Sequence, residues 1–146
     1  MISFQLHNAP PAPRDPRPLG VPFDTAEEAW FWFMAARAAM MDGARPRAGL
    51  ARVVRPCESA DILNAVDRLY RGRLITREHL FVLRYYGARF EAPDPDSPRE
   101  MRAARLWHAA MNRLAYSLRR RGIVVDPSDD FLLPPSVHPP RDKRAS

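Results

Sequence analysis

The sequence predicts an all-α fold, one small domain of about four helices with Pro-rich flexible ends, and three observations predict it. Four segments between residues 23 and 125 combine an apolar period of 3.6 residues with recognisable helix starts and stops. Most of the 16 prolines lie outside these segments, in residues 8–22 and after Asp126, where they remove backbone donors and favour extended chain. Alternation of apolar and polar residues is confined to Ile2–Leu6, whose natural partner would be Ile123–Val125. Two short strands alone are marginal. The expected organisation is therefore a flexible segment over 1–22, a helical domain over 23–125 and a flexible tail over 126–146.

The first helix starts at Asp24 or Thr25, with Thr25 and Glu28 spaced as a capping box, and ends before Gly43. Its stretch Ala29-Trp30-Phe31-Trp32-Phe33-Met34-Ala35-Ala36 is apolar on nearly every side. A helix apolar all round is buried all round, so it is either the central core element or partly turned to a partner subunit. In the second case Trp30, Phe31 and Trp32 form the partner interface. Arg37 is the only charge between Glu28 and Asp42, and burial would oblige it to find a carboxylate. The loop over 44–57 then carries Arg45, Arg47, Arg52 and Arg55 with no acid, either a backbone clamp or a solvated connection.

The second helix runs from Ser59 or Ala60 to Arg71, with Gly72 after its end. Ile62, Leu63, Val66, Leu69 and Tyr70 make its apolar arc, and Asp67 with Arg71 makes an i,i+4 pair on the other side. The third starts after Thr76 and ends near Tyr86 with Gly87 beyond, Ile75 and Leu80 being placed for a hydrophobic staple. The second and third together have the outline of a helix-turn-helix. However, Arg68 stands where a small residue usually lets the helices approach, and Arg73 and Glu78 stand at usually apolar positions, so an ordinary helical hairpin fits better.

The fourth and longest helix spans Ser97 to Gly122, with Ser97 and Glu100 as a capping box, Pro98 in the first turn and Gly122 as terminator. Met101, Ala104, Trp107, Met111, Leu114, Ala115 and Leu118 fall on one arc. Arg99, Arg102, Arg105, Arg113, Arg120 and Arg121 fall on the other, among Leu106, Tyr116 and Ser117. Residues 99–125 carry a net +6, equal to the net charge of the whole chain. Of the 23 basic residues only Lys143 is not Arg. Arg, Ala and Pro are all favoured by GC-rich codons, so the position of the arginines carries more weight than their number.

A positive stripe on a rigid rod is the minimum equipment for gripping a phosphate backbone. The expected function is a non-enzymatic nucleic-acid-binding accessory or regulatory protein working through the Arg face of the fourth helix, with Arg73, Arg77 and Arg84 as a second patch. The alternative is an interaction adaptor, docking an acidic protein or forming a homodimer through the aromatic first helix. Catalytic chemistry finds no support: Cys57, His79 and His108 lack metal-ligand spacing, no Cys–His signature surrounds Cys57, and no phosphate-binding glycine loop occurs. Asp94 and Asp96 read as a capping loop rather than a cation site, and His108 as a packed histidine at the edge of the apolar arc. No cofactor is expected. The lone Cys57 excludes an internal disulfide, the polar N-terminus does not read as a signal peptide, and the longest apolar run falls far short of the ~20 residues that span a bilayer, so a cytoplasmic protein is expected.

The combination Glu-Glu-Ala-Trp-Phe-Trp-Phe-Met (27–34), Val-Val-Arg-Pro-Cys-Glu (53–58) and Arg-Gly-Ile-Val (121–124) resembles a group of short alphaproteobacterial proteins without an assigned activity. The resemblance covers about residues 23–125 and implies a compact bacterial domain.

Overall fold

Thr25 begins the first helix as an N-cap, its hydroxyl accepting the Glu28 N–H at 3.1 Å. In the computed structural model, which describes residues 20–43 and 53–127, four helices follow in order: α1 (Ala26–Met41), α2 (Ser59–Arg71), α3 (Arg77–Ala88) and α4 (Met101–Arg120). Among the described residues no strand forms, and the one β-bridge pairs Phe23 with Val124. The fold is all-α.

Helix α1 packs against each of the other three, as α4 also does. Ala26, Ala29, Trp30 and Phe33 are buried, and Phe31, Trp32 and Met34 are partly so. Arg37 lies on the exposed side, so it avoids the desolvation that would demand a partner. The capping differs from the expected box in one respect. The Glu28 carboxylate accepts from Asp24 N–H at 2.8 Å, one residue before the cap.

Helix α2 has the predicted bounds, capped by Glu58 and Asp61 in reciprocal bonds, and the Asp67–Arg71 pair forms at 3.1 Å. It buries Ile62, Ala65, Val66 and Leu69, leaving Leu63 and Tyr70 at the exposed margin. Gly72 does not end this helix by left-handed geometry, because its φ is −81°. Arg73 does, with φ 63°, while Leu74 N–H reaches back to Leu69 C=O at 2.9 Å. A side chain in this region is disfavoured by roughly 1–2 kcal/mol. Arg73→Gly is therefore expected to raise stability by about 0.5–1 kcal/mol after the unfolded chain's extra freedom is counted. A rightward shift of the urea midpoint at constant m-value would show it, and an unchanged or earlier midpoint would refute it.

Helix α3 opens on Thr76, whose N–H donates to His79 Nδ1 at 2.9 Å, after a buried Ile75. It continues past Tyr86 to Ala88. Gly87 is thus no terminator but a buried interior residue, where a Cβ would stand 2.7 Å from Trp30 Nε1. Phe90 takes the left-handed position that ends the helix, at φ 54°.

Helix α4 starts at Met101, later than expected. The Ser97–Glu100 box does not form: Glu100 accepts instead from Asp94 N–H at 3.0 Å. Burial, and then the Glu100 carboxylate beside it, push the Tyr86 hydroxyl above its ordinary pKa. At the far end Gly122 does terminate the helix, with φ 76° and Ile123 N–H bonded to Leu118 C=O at 2.9 Å. Trp107, Ala110, Met111, Leu114, Ala115 and Leu118 are buried, and Leu106 packs on the core as well. The apolar arc is therefore rotated from Met101, which is exposed, towards Leu106.

The partner of Ile123–Val125 is Phe23, through Phe23 N–H to Ile123 C=O and Val125 N–H to Phe23 C=O, both 2.9 Å. Ile2–Leu6 lies outside the described residues. Packing begins before Phe23, however. Val21 N–H bonds Val54 C=O at 2.7 Å, and a Cβ on Gly20 would meet the Arg55 carbonyl carbon at 2.6 Å. Arg55 seals this entry by lying 4.2 Å over the Phe23 ring, 3.5 Å from the Glu28 carboxylate and in hydrogen-bond reach of Val21 C=O. It is a structural cation rather than part of a clamp. Arg45, Arg47 and Arg52 lie outside the described residues.

Candidate nucleic-acid interface

Helix α4 carries five arginines and no acid over its 20 residues. At about 100° per residue, Arg102, Arg113 and Arg120 share one line along the rod, with Arg105 and Arg119 towards the opposite edge of the exposed face. All five are exposed. Among the described residues only Arg102 has a carboxylate partner, Glu78 at 2.7 Å. Between the lines stands Tyr116, 63% exposed. Its hydroxyl accepts from Arg120 at 3.2 Å, and that guanidinium lies 5.7 Å from the ring centroid. The basic face thus includes an aromatic surface held by its own arginine.

Two of the arginines assigned to this face lie off the rod. Arg99 belongs to the turn before α4 and Arg121 is its C-cap. Both are exposed, but neither is held in register with the stripe by the helix. Arg119, not singled out in the sequence, is on the exposed face. The arc drawn from Ser97 starts the helix too early, and of the two arginines of the last turn it includes Arg120 but not Arg119.

Beside the stripe runs an open groove of about 540 Å³, lined by Leu69, Leu74, Ala109, Asn112, Arg113 and Tyr116. It separates α4 from the α2–α3 link, so Arg113 faces the same depression as the residue following Arg73. A second groove of about 670 Å³ shares Ala109 and Asn112 and extends over Glu27, Pro93, Arg105 and His108. Trp107 forms part of its floor and donates its indole N–H to Glu27 at 2.8 Å. Both depressions are apolar at the base and basic at one rim, a form suited to contact with an anionic polymer having flat apolar parts.

Arg77 and Arg84 are exposed on α3. Beside them stands an aromatic pair that the expected patch did not include, Phe81 (66% exposed) and Tyr85 (46%). Their rings are 6.0 Å apart and 16° from parallel. Arg89 donates to the Tyr85 hydroxyl at 3.1 Å. An i,i+4 aromatic pair on the side opposite Val82, Leu83 and Gly87 was the available signal.

The aromatic first helix offers less to a partner than expected. Trp30 is 3% exposed and donates its indole N–H to Leu83 C=O at 3.0 Å, so it belongs to the core and not to an interface. Phe31 is half-covered by Phe90 and Trp107, and Trp32 by Phe23.

Among the described residues no three His, Cys, Asp or Glu side chains converge on a point where a metal could sit. His108 is exposed rather than packed, and His79 is engaged at the α3 cap. Burial raises the Cys57 thiol to about 11, with the Asp61 and Glu58 carboxylates adding to it against Arg55. The nucleophilic thiolate is accordingly scarce near neutrality. Among the described residues no helix is long and apolar enough to cross a membrane. No protein-family model matches the chain, and no curated protein or solved structure has significant similarity to it.

Proposed function

We propose that this protein is a non-enzymatic nucleic-acid-binding accessory or regulatory protein of the bacterial cytoplasm that grips the phosphate backbone along the exposed face of α4. One observation carries the reading: five exposed arginines and no acid on one rigid helix, with four of them making no ion pair among the described residues. An arginine kept for stability usually meets a carboxylate, as Arg55 and Arg71 do here. Unpaired guanidinium groups aligned along a rod instead present bidentate donors to an outside anion. Tyr116 extends the same face with a ring that can lie against sugar or base.

The test is a salt titration of binding to random-sequence DNA, with wild type compared to an Arg105→Gln, Arg113→Gln, Arg119→Gln, Arg120→Gln variant. Gln retains helix propensity, and exposed arginines contribute little to folding, so the melting curve should hold. Affinity should fall, and the log–log salt slope should shrink by up to ~0.9 for each phosphate contact removed on duplex. Unrelated sequences should weaken alike, because phosphate contacts position a protein without reading bases. Unchanged affinity at low salt would overturn the proposal and favour an acidic protein as partner.

A further inference from the structure

The exposed side of α3 has a composition that a phosphate grip alone does not use. The buried side of this helix is formed by Val82, Leu83 and Gly87. At about 100° per residue, the point diametrically opposite them is Phe81. The centre of a solvent-facing helix surface is therefore a phenylalanine, with Tyr85 one turn on and nearly parallel to it at 6.0 Å. A phenylalanine 66% exposed gains little from folding. Tyr85 is also held in place: Arg89 both donates to its hydroxyl at 3.1 Å and lies 5.3 Å over its ring.

The charge around the pair that is not in an ion pair is positive. Arg77 and Arg84 flank Phe81 on the same exposed side, and Arg89 closes the end. Glu78, the single acid within α3, is engaged by Arg102 of α4 at 2.7 Å. That ion pair also spans the seam between the aromatic face and the arginine stripe, so the two surfaces adjoin. Flat rings without a surrounding pocket, bracketed by guanidinium groups, complement a ligand that alternates planar apolar faces with anions.

We propose that the Phe81–Tyr85 face of α3 is a stacking platform for unpaired bases, and that the ligand of this protein is single-stranded nucleic acid whose phosphates run towards the arginines of α4. This inference rests on the phosphate-binding reading of α4 and narrows it from nucleic acid in general to single strands. In a duplex the base faces are covered by their neighbours, so the rings would find nothing to stack on. In a single strand every base offers a π-face, and stacking on an aromatic side chain tolerates any sequence.

The full-length protein is titrated with oligothymidylate, with a duplex of matched length and with polyglutamate. The comparison covers wild type, Phe81→Leu/Tyr85→Leu, and the α4 glutamine variant. Leu keeps the helix and the apolar character but has no flat face. The leucine pair is expected to weaken oligothymidylate binding by roughly 10- to 100-fold, as loss of stacked bases does. Duplex affinity, salt slope and melting temperature should stay in place. Phe81→Tyr, which keeps a flat ring at this position, should retain most of the oligothymidylate affinity, whereas a merely structural role would not distinguish Tyr from Leu on one ligand only. Oligothymidylate affinity unchanged in the leucine pair, while the α4 variant loses it, would overturn the platform and leave the phosphate grip standing. Equal losses on single strand and duplex would overturn it as well. Failure of wild type to bind either nucleic acid, with polyglutamate bound through the same arginines, would overturn both readings in favour of an acidic protein.

Discussion

Trp30→Ala is expected to cost roughly 3–5 kcal/mol, the range for removing a buried tryptophan, and so to consume much of the stability of a domain this size. The indole is 3% exposed, tilted against Phe33 at 5.1 Å and anchored by its N–H on Leu83 C=O. It stands on α1, which like α4 packs on all three other helices, so the void would open at the centre rather than at an edge. The neighbouring Gly87 has no side chain to collapse into that space. Trp30→Phe should cost distinctly less, because most of the apolar volume stays and only the indole donor is lost. Urea unfolding of the two variants measures both values. A loss below about 1 kcal/mol for the alanine variant would mean that α1 does not organise the core.

The same tryptophan shows why part of this protein was legible in its sequence and part was not. Periodicity and caps located four helices, because those signals are local: Thr25, Thr76 and Gly122 each act within one turn of chain. Whether an apolar helix is central or turned to a partner is not local. Trp30, Phe31 and Trp32 are neighbours in sequence, yet the first is core and the other two are half-covered by Phe90, Trp107 and Phe23. Gly72 and Gly87 look alike in sequence, each just past an expected helix end. Gly72 is indeed the C-cap of α2, with Arg73 taking the left-handed position after it, whereas Gly87 lies inside α3 and is small because Trp30 lies over it.

The candidate interface divides in the same way. An excess of Arg over acid along α4 is visible in one dimension, and the structure leaves those side chains exposed as that count suggested. The capping box expected at Ser97 does not form, because Glu100 has a competing donor in Asp94 N–H. This moved Arg99 off the helix. The aromatic pair on α3 was overlooked because Phe and Tyr are core residues by default, and only burial shows that Phe81 points away from the core. Arg55 was misread for the opposite reason. A basic loop residue is solvated by default, but this one covers Phe23 and reaches Glu28 across the chain entry.

Gly87→Ala is expected to destabilise by roughly 2–4 kcal/mol, although alanine is the better helix former by about 1 kcal/mol. The added Cβ would stand 2.7 Å from Trp30 Nε1 and 3.0 Å from Met34 Cγ, both on α1. The first distance is too short for any carbon–nitrogen contact, so either α3 moves away or the indole turns. A displaced helix forfeits packing, at about 1–3 kcal/mol for overfilled cores. A turned indole leaves its N–H buried without Leu83 C=O, which costs a further ~1–3 kcal/mol. The two effects are separable in a double-mutant cycle with Trp30→Phe, which removes the nitrogen that the methyl meets. If the clash with Trp30 dominates, Gly87→Ala should cost distinctly less in the Phe background, giving a coupling energy of about 1–2 kcal/mol. A purely additive pair would place the strain at Met34 instead. Stabilisation by Gly87→Ala in wild type would mean that α1 and α3 are not in close contact at this residue, and the central position of α1 would fall with it.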